Sequence, residues 1–329
     1  MKLIGLEEHF VTPAVLDAWS RLDPVHRDVA FAASAEGETG RRLLELGEER
    51  RSAMAATGLD VQVLSLTTPA LQNLPAADAR HLQEATNDVL AETVRNDPEH
   101  FQGLAALATS TPETAADELR RAVTVLGLDG AMLYGRTGAT NLDDHSFWPV
   151  FEAAQDLCVP LHLHPQSPPP AVREHYYAGF PPEISAGFAT HGIGWHYDAG
   201  VQFLRLVLRG VFDQFPDLQI VLGHWGELVL FYLERVQHLA SSAGTARPLA
   251  EYVRDNLYVT PSGIRSRRYL AWAIEVIGTE RIMFATDYLF EASSLSGARA
   301  FLEQAPLDDT ARESIAFGNW ERVRAGIRR

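Results

Sequence analysis

Within its first ten residues, MKLIGLEEHF, the chain places Glu7, Glu8 and His9 directly behind a short apolar run. Such groups resist burial without partners, so a strand that ends in them predicts a site that accepts them. On an extended chain Glu7 and His9, two apart, point to one side and Glu8 to the other, as a solvated or supporting carboxylate. Three further apolar runs end in the same way: VPLHLH at His164, QIVLGH at His224 and RIMFATD at Asp287. His162 shares the face of His164 but lies one step further inside. Glu7, His9, His164 and Asp287 form a mixed oxygen and nitrogen donor set for one divalent cation, with a position open for water or substrate. Two oxygen donors suit Mn²⁺ as well as Zn²⁺. An ion held in this way polarises an oxygen substituent or activates water. Each residue alone has a plainer reading. A strand-end histidine often only hydrogen-bonds locally, and Asp287 would also serve as a helix cap. Their joint placement at matching strand ends favours the metal.

The elements that must position these residues are eight short apolar runs: LIGL from Leu3, VQVLSL from Val61, FQGLAAL from Phe101, GAMLYG from Gly130, VPLHLH from Val159, QIVLGH from Gln219, NLYVTP from Asn256 and RIMFATD from Arg281. Helical patterns separate them, such as TPETAADELRRAVTVLG, with a start signal at Thr111 and Glu113 and a stop at Gly127, and FWPVFEAAQDL. Alternation of this kind predicts a parallel sheet, and eight repeats predict a closed (β/α)8 TIM barrel, α/β in class. An open doubly wound sheet would carry a Gly-rich phosphate turn after an early strand, and GRTG at Gly135 lacks the spacing. In a barrel the strand ends named above converge on one mouth.

Two segments break the alternation. Residues 23–40 form an excursion ahead of an expected helix, GRRLLELGEERRSAMAATGL. Residues 165–194, rich in Pro, Gly and aromatic residues, are expected to be a lid-like insertion after strand 5. Tyr176, Tyr177, Phe180 and Trp195 either line a ring-binding pocket or pack this lid. His196 and Asp198 open the long helix that follows. They either face the pocket or, for Asp198, stabilise the helix amino terminus.

Composition narrows the partners. The 329 residues are 46% hydrophobic and 22% charged, which fits one globular domain over 1–329. A formal net charge of -15, with basic residues in no long run, excludes nucleic acid and anionic membrane surfaces as natural partners. An anionic substrate therefore needs a local positive charge. The single cysteine, Cys158, and the lack of a leader or membrane-length apolar run predict a cytoplasmic protein.

The stretches LEEHF, LHLHP, FPDLQIVLGHWGE and RIMFATDYLFE resemble the amidohydrolase superfamily. They are most similar to its branch of metal-dependent, non-oxidative hydroxybenzoate decarboxylases, such as the gamma-resorcylate and 2,3-dihydroxybenzoate enzymes. The resemblance spans Leu3 to about Arg324. It implies an amidohydrolase-like barrel, ligation of one metal per chain by Glu7, His9, His164 and Asp287, and a place for His224 beside the metal. The fourth strand ends LYG, without the Lys that bridges two metals in dinuclear members. The resemblance also implies a homodimer or homotetramer. Pro165, Gln166 and Ser167 stand where the resorcylate enzymes carry an Arg-Asn pair, and Tyr134 stands where they have Asn. A small-molecule substrate different from theirs is therefore expected, in a pocket bordered by Tyr134, Gln166, Trp195, His196, Asp198 and Phe290.

The expected reaction is decarboxylation of a hydroxylated aromatic or enolic carboxylic acid. The metal would hold the hydroxyl and one carboxylate oxygen, and Asp287 would protonate the ring carbon. His224, oriented by Glu227 one helical turn away, would hydrogen-bond the developing charge. The alternative is a hydrolase or hydratase acting on a lactone, ester or unsaturated acid through metal-activated water.

Overall fold

Seven of the eight expected strands form as regular strands: Ile4–Phe10, Val61–Leu66, Phe101–Gly103 continued by Ala105–Ala106, Ala131–Tyr134, Leu161–His164, Ile220–Leu222 and Leu257–Val259. The computed structural model describes residues 1–23, 27–290 and 297–329; the part of the 23–40 excursion at 24–26 lies outside them. All neighbouring barrel strands pair in parallel. The third is split between its neighbours. Phe101–Gly103 pairs with the second strand and Ala105–Ala106 with the fourth.

The eighth run, 282–288, makes only isolated bridges, Val259 to Ile282 and Glu8 to Tyr288. Leu6 N–H donates to Phe284 O and His9 N–H to Tyr288 O, each at 2.9 Å, and these bonds close the barrel. Two features interrupt a regular ladder here. The Glu8 carboxylate takes the Thr286 N–H at 2.8 Å, and Asp287 has a left-handed backbone, φ 57°. In the first strand a bulge between Gly5 and Glu8 shifts the register against the second strand. It precedes His9 and leaves Glu7 and His9 facing the same interior.

The outer helices follow their apolar faces. Pro112–Thr124 begins with Pro at its first position and buries Ala115, Leu119, Ala122 and Val123. Fully burying Leu119 is worth roughly 1.5–3 kcal/mol. Trp148–Leu157 ends at Cys158, whose backbone is left-handed. The helix expected over 40–59 is instead two, Gly37–Leu43 and Glu48–Thr57. The Glu45 carboxylate explains the break: it accepts from Gly47 N–H and Arg50 N–H, both at 2.8 Å, and so caps the second helix.

The insertion 165–194 folds into the short helical turns Pro170–Val172, Arg173–Tyr177, Pro182–Gly187 and Phe188–Gly192 before the long helix Gly194–Leu208. Pro170 and Pro182 each open such a turn, at the position where a missing N–H costs nothing. Tyr177 and Phe188 pack edge to face at 5.0 Å, whereas Tyr176 and Phe180 face outward, 73% and 55% exposed. Among the described residues no helix is long and apolar enough to cross a membrane.

Candidate metal centre and active site

Glu7 lies buried at the barrel mouth with its carboxylate between two histidines. Oε1 stands 3.4 Å from His164 Nε2 and Oε2 stands 3.4 Å from His162 Nε2. Ser262 Oγ donates to Oε2. The carboxylate fits only because residue 223 is glycine: a Cβ there would sit 2.8 Å from Glu7 Oε2. Burial pushes the Glu7 carboxyl up, but His162, His224 and His164 outweigh it and hold the group well below the usual carboxylate range.

His9 Nε2 lies 3.3 Å from Asp287 Oδ1, and its Nδ1 is 3.4 Å from Ser65 Oγ. His164 donates from Nδ1 to Pro165 O at 2.7 Å. That bond fixes the tautomer and leaves the Nε2 lone pair facing Glu7. Burial, and then nearby His9, push His164 down to about 4, so at neutral pH it is the uncharged imidazole that ligation requires. Donor atoms of Glu7, His9 and His164 lie within 4.8 Å of one another. Glu7 Oε1 and His9 Nε2 are buried and make no hydrogen bond. Orphaned donor atoms converging on one point are the mark of a cation site rather than of a hydrogen-bonded core, and the donor set fits Mn²⁺ or Zn²⁺.

Asp287 adds a second carboxylate. Its Oδ2 stands 3.6 Å from His224 Nε2. Burial raises this carboxyl, but the facing imidazoles of His224 and His9 bring it net below its ordinary value. His224 Nδ1 in turn faces Glu227 Oε1 at 2.6 Å. Burial lowers the His224 pKa, yet Glu227 and Asp287 more than offset this and raise it well above its usual value. The contact with Glu227 forms as expected but not across a helical turn. Residues 224–228 are a run of left-handed backbone, from His224 at φ 47° to Leu228 at φ 67°, and the helix begins only at Val229.

Glu8 is fully buried rather than solvated. It accepts from Thr286 N–H, from Thr286 Oγ1 at 2.7 Å and from Gln62 Nε2 at 3.2 Å. Gln62 is held by Arg50 Nε at 2.7 Å, and a second Arg50 nitrogen donates to His9 O. Sequence reasoning missed this buried chain, along with Ser65 and Ser262. The signal for it was the charged Arg50 in a helix beside an apolar strand containing Gln62.

The expected pocket residues divide into two groups. Phe290 packs its ring 5.7 Å from that of His9, and Trp195 stands 6.3 Å from His164. Tyr134 lies 5.0 Å from His164, but its hydroxyl donates to Leu66 O. Gln166 accepts the Arg136 N–H at 2.7 Å, which ties the insertion to the loop that follows the fourth strand. His196 bonds Glu227 at 2.7 Å. Asp198 faces Arg136 at 3.4 Å and lies beyond the first helical turn, so it does not serve the helix dipole. Asp198, Tyr176 and Tyr177 line a separate, mainly apolar cleft of about 750 Å³.

A family model described as amidohydrolase matches residues 17–323. The chain belongs to the amidohydrolase family. It is 34% identical, over 96% of each chain, to the gamma-resorcylate decarboxylase of Polaromonas sp. strain JS666. Among solved structures it resembles the 5-carboxyvanillate decarboxylase LigW of Sphingomonas paucimobilis, with TM-score 0.90, 30% identity and 99% of both chains covered. It also resembles the dihydroxybenzoic acid decarboxylase of Polaromonas sp. JS666, which was solved with bound manganese and the inhibitor 2-nitroresorcinol. There the TM-score is 0.85 and the identity 31%, with 98% of this chain and 97% of that one covered. The barrel expected from the eight apolar runs is therefore the amidohydrolase barrel.

Proposed function

We propose that this protein is a metal-dependent, non-oxidative decarboxylase of hydroxylated aromatic carboxylic acids. The observation that carries the reading is the convergence of unsatisfied Glu7 Oε1 and His9 Nε2 with His164 beside the linked pair Asp287 and His224. Likeness to decarboxylases over nearly the whole chain supports it. Glu7, His9, His164 and Asp287 would hold one Mn²⁺ or Zn²⁺ per chain. Such an ion supplies the positive field that an acidic chain otherwise lacks for the substrate's hydroxyl and carboxylate oxygens.

The hard step is protonation of the ring carbon that carries the carboxylate, because it interrupts aromaticity. Asp287 is the acid that reaches that carbon, and His224, kept protonated by its two carboxylate neighbours, stands behind it as the proton source. The balance is one arenecarboxylate and one proton giving one arene and one carbon dioxide. Glu227 holds His224 in register, and Phe290 and Trp195 are the rings against which the substrate would lie.

A homodimer or homotetramer belongs to this reading. It is supported by an exposed aromatic surface that includes Tyr176, Phe188, Tyr197, Phe231 and Tyr232, and light scattering on the purified protein measures it. A cytoplasmic location is supported by the lone Cys158.

The test is anaerobic release of carbon dioxide from a panel of hydroxybenzoates by Mn²⁺- and Zn²⁺-loaded protein. Stoichiometric carbon dioxide with the matching phenol supports the proposal. A product carrying added water, with no carbon dioxide, would overturn it in favour of a hydrolase or hydratase.

A further inference from the structure

His196 stands in the first turn of Gly194–Leu208, outside the ring of metal donors. Its Nδ1 lies 2.7 Å from Glu227 Oε2 and its Nε2 lies 3.1 Å from His191 O. Glu227 can only accept, so His196 Nδ1–H donates to its carboxylate, while Nε2 faces the His191 carbonyl. The other Glu227 oxygen takes His224 Nδ1 at 2.6 Å. Among the described residues, these two imidazoles are the donors to a carboxylate that is otherwise fully buried.

The backbone gives this contact its importance. Glu227 has φ 51° within the left-handed run 224–228, which is held by turn bonds such as Gly226 N–H to Gly223 O and Val229 N–H to Gly226 O rather than by a regular helix or strand. Gly200, one helical turn after His196 and on the same face, lets the helix approach so closely that a Cβ would sit 2.3 Å from Glu227 O. His191 belongs to the insertion, just past a kink at Thr190 with φ -111° and ψ -121°. An unbroken series of contacts therefore runs from the insertion's main chain through His196, Glu227 and His224 to Asp287.

We propose that His196 is a positioning residue: it fixes Glu227, through Glu227 it aligns His224 behind Asp287, and it ties that alignment to the insertion at His191. The inference rests on the decarboxylase reading, in which His224 backs the acid. His196→Phe keeps a ring but no N–H, and His196→Gln keeps a donor. Loss of an outer-shell partner of this kind costs about 10- to 100-fold. The Phe variant should therefore lower kcat about 30-fold with KM within about threefold and bound metal unchanged. The Gln variant should recover to within about fivefold of wild type.

A kcat within about twofold of wild type in His196→Phe would overturn the proposal, as would parallel loss of activity and metal in both variants. The low-field NMR signal of the His224 Nδ1–H is an independent readout. Its loss in His196→Phe and survival in His196→Gln support positioning; an unchanged signal in both overturns it. If wild type releases no carbon dioxide from any hydroxybenzoate, the decarboxylase reading falls and this signal still decides the role of His196.

Discussion

Glu7 and Glu8 are neighbours in the chain, point to opposite sides of one strand, and have carboxyls driven in opposite directions. Glu7 meets histidines and is held well below the usual range, whereas burial among neutral donors pushes Glu8 up to about 7. One faces the proposed metal pocket as a carboxylate between histidines. The other sits in the barrel wall and secures Thr286, the residue before Asp287.

His164→Ala removes one nitrogen donor and should leave less than a tenth of the divalent metal bound to wild type, with the fold retained. Elemental analysis after gel filtration, paired with circular dichroism, reads both. Full metal occupancy in the variant would remove His164 from the donor set.

Asp287→Asn keeps an oxygen donor but has no acidic proton to deliver to carbon. General acid catalysis is worth about 10²–10⁴-fold, so kcat should fall by roughly that much while a nitrophenolic substrate analogue still binds. Stopped-flow carbon dioxide detection and titration calorimetry separate the two effects.

Arg50 is fully buried, bonds Gln62 and His9 O, and lies 4.4 Å over the Tyr288 ring. Arg50→Ala should cost about 3–5 kcal/mol in a urea unfolding series, because it strips a buried polar network of its donor. Lys should restore little, since one ammonium cannot span both acceptors in the fork geometry that Arg supplies.

Burial, only partly offset by Arg136, raises Asp198 to about 6 from an ordinary 3.8. A raised carboxyl stabilises the fold fully below its unfolded pKa, and that stability is lost as pH rises through the folded one. Wild type should therefore lose about 3 kcal/mol relative to Asp198→Asn between about pH 4 and pH 7. Denaturant midpoints for both proteins across that range give the difference directly.

The barrel was legible because each strand run is short, apolar and bounded by turn residues, and strand parity alone put Glu7 and His9 on one face. What the sequence concealed depends on register between distant strands. Ser262 reaches Glu7, and Gln62 reaches Glu8, only once the ring has closed. His162 was read as interior, yet it touches the second oxygen of Glu7, because a barrel interior at this level is the floor of the mouth. The helix break at 44–47 was hidden because Glu45 looks like an ordinary helical residue until its carboxylate turns back onto Gly47 and Arg50. Likewise, His196 carried no spacing signal toward Glu227, 31 residues away.

The seam where the first strand meets 282–288 closes with two main-chain bonds and a carboxylate. Glu7 and His9 lie on one side of it and Asp287 on the other. A nascent chain that has emerged only as far as the seventh strand would thus own three of the four proposed donors but no completed pocket. Under the proposed ligand set an ion could be gripped fully only after the last stave has been made and docked, so its loading would report that the two ends of the chain have met.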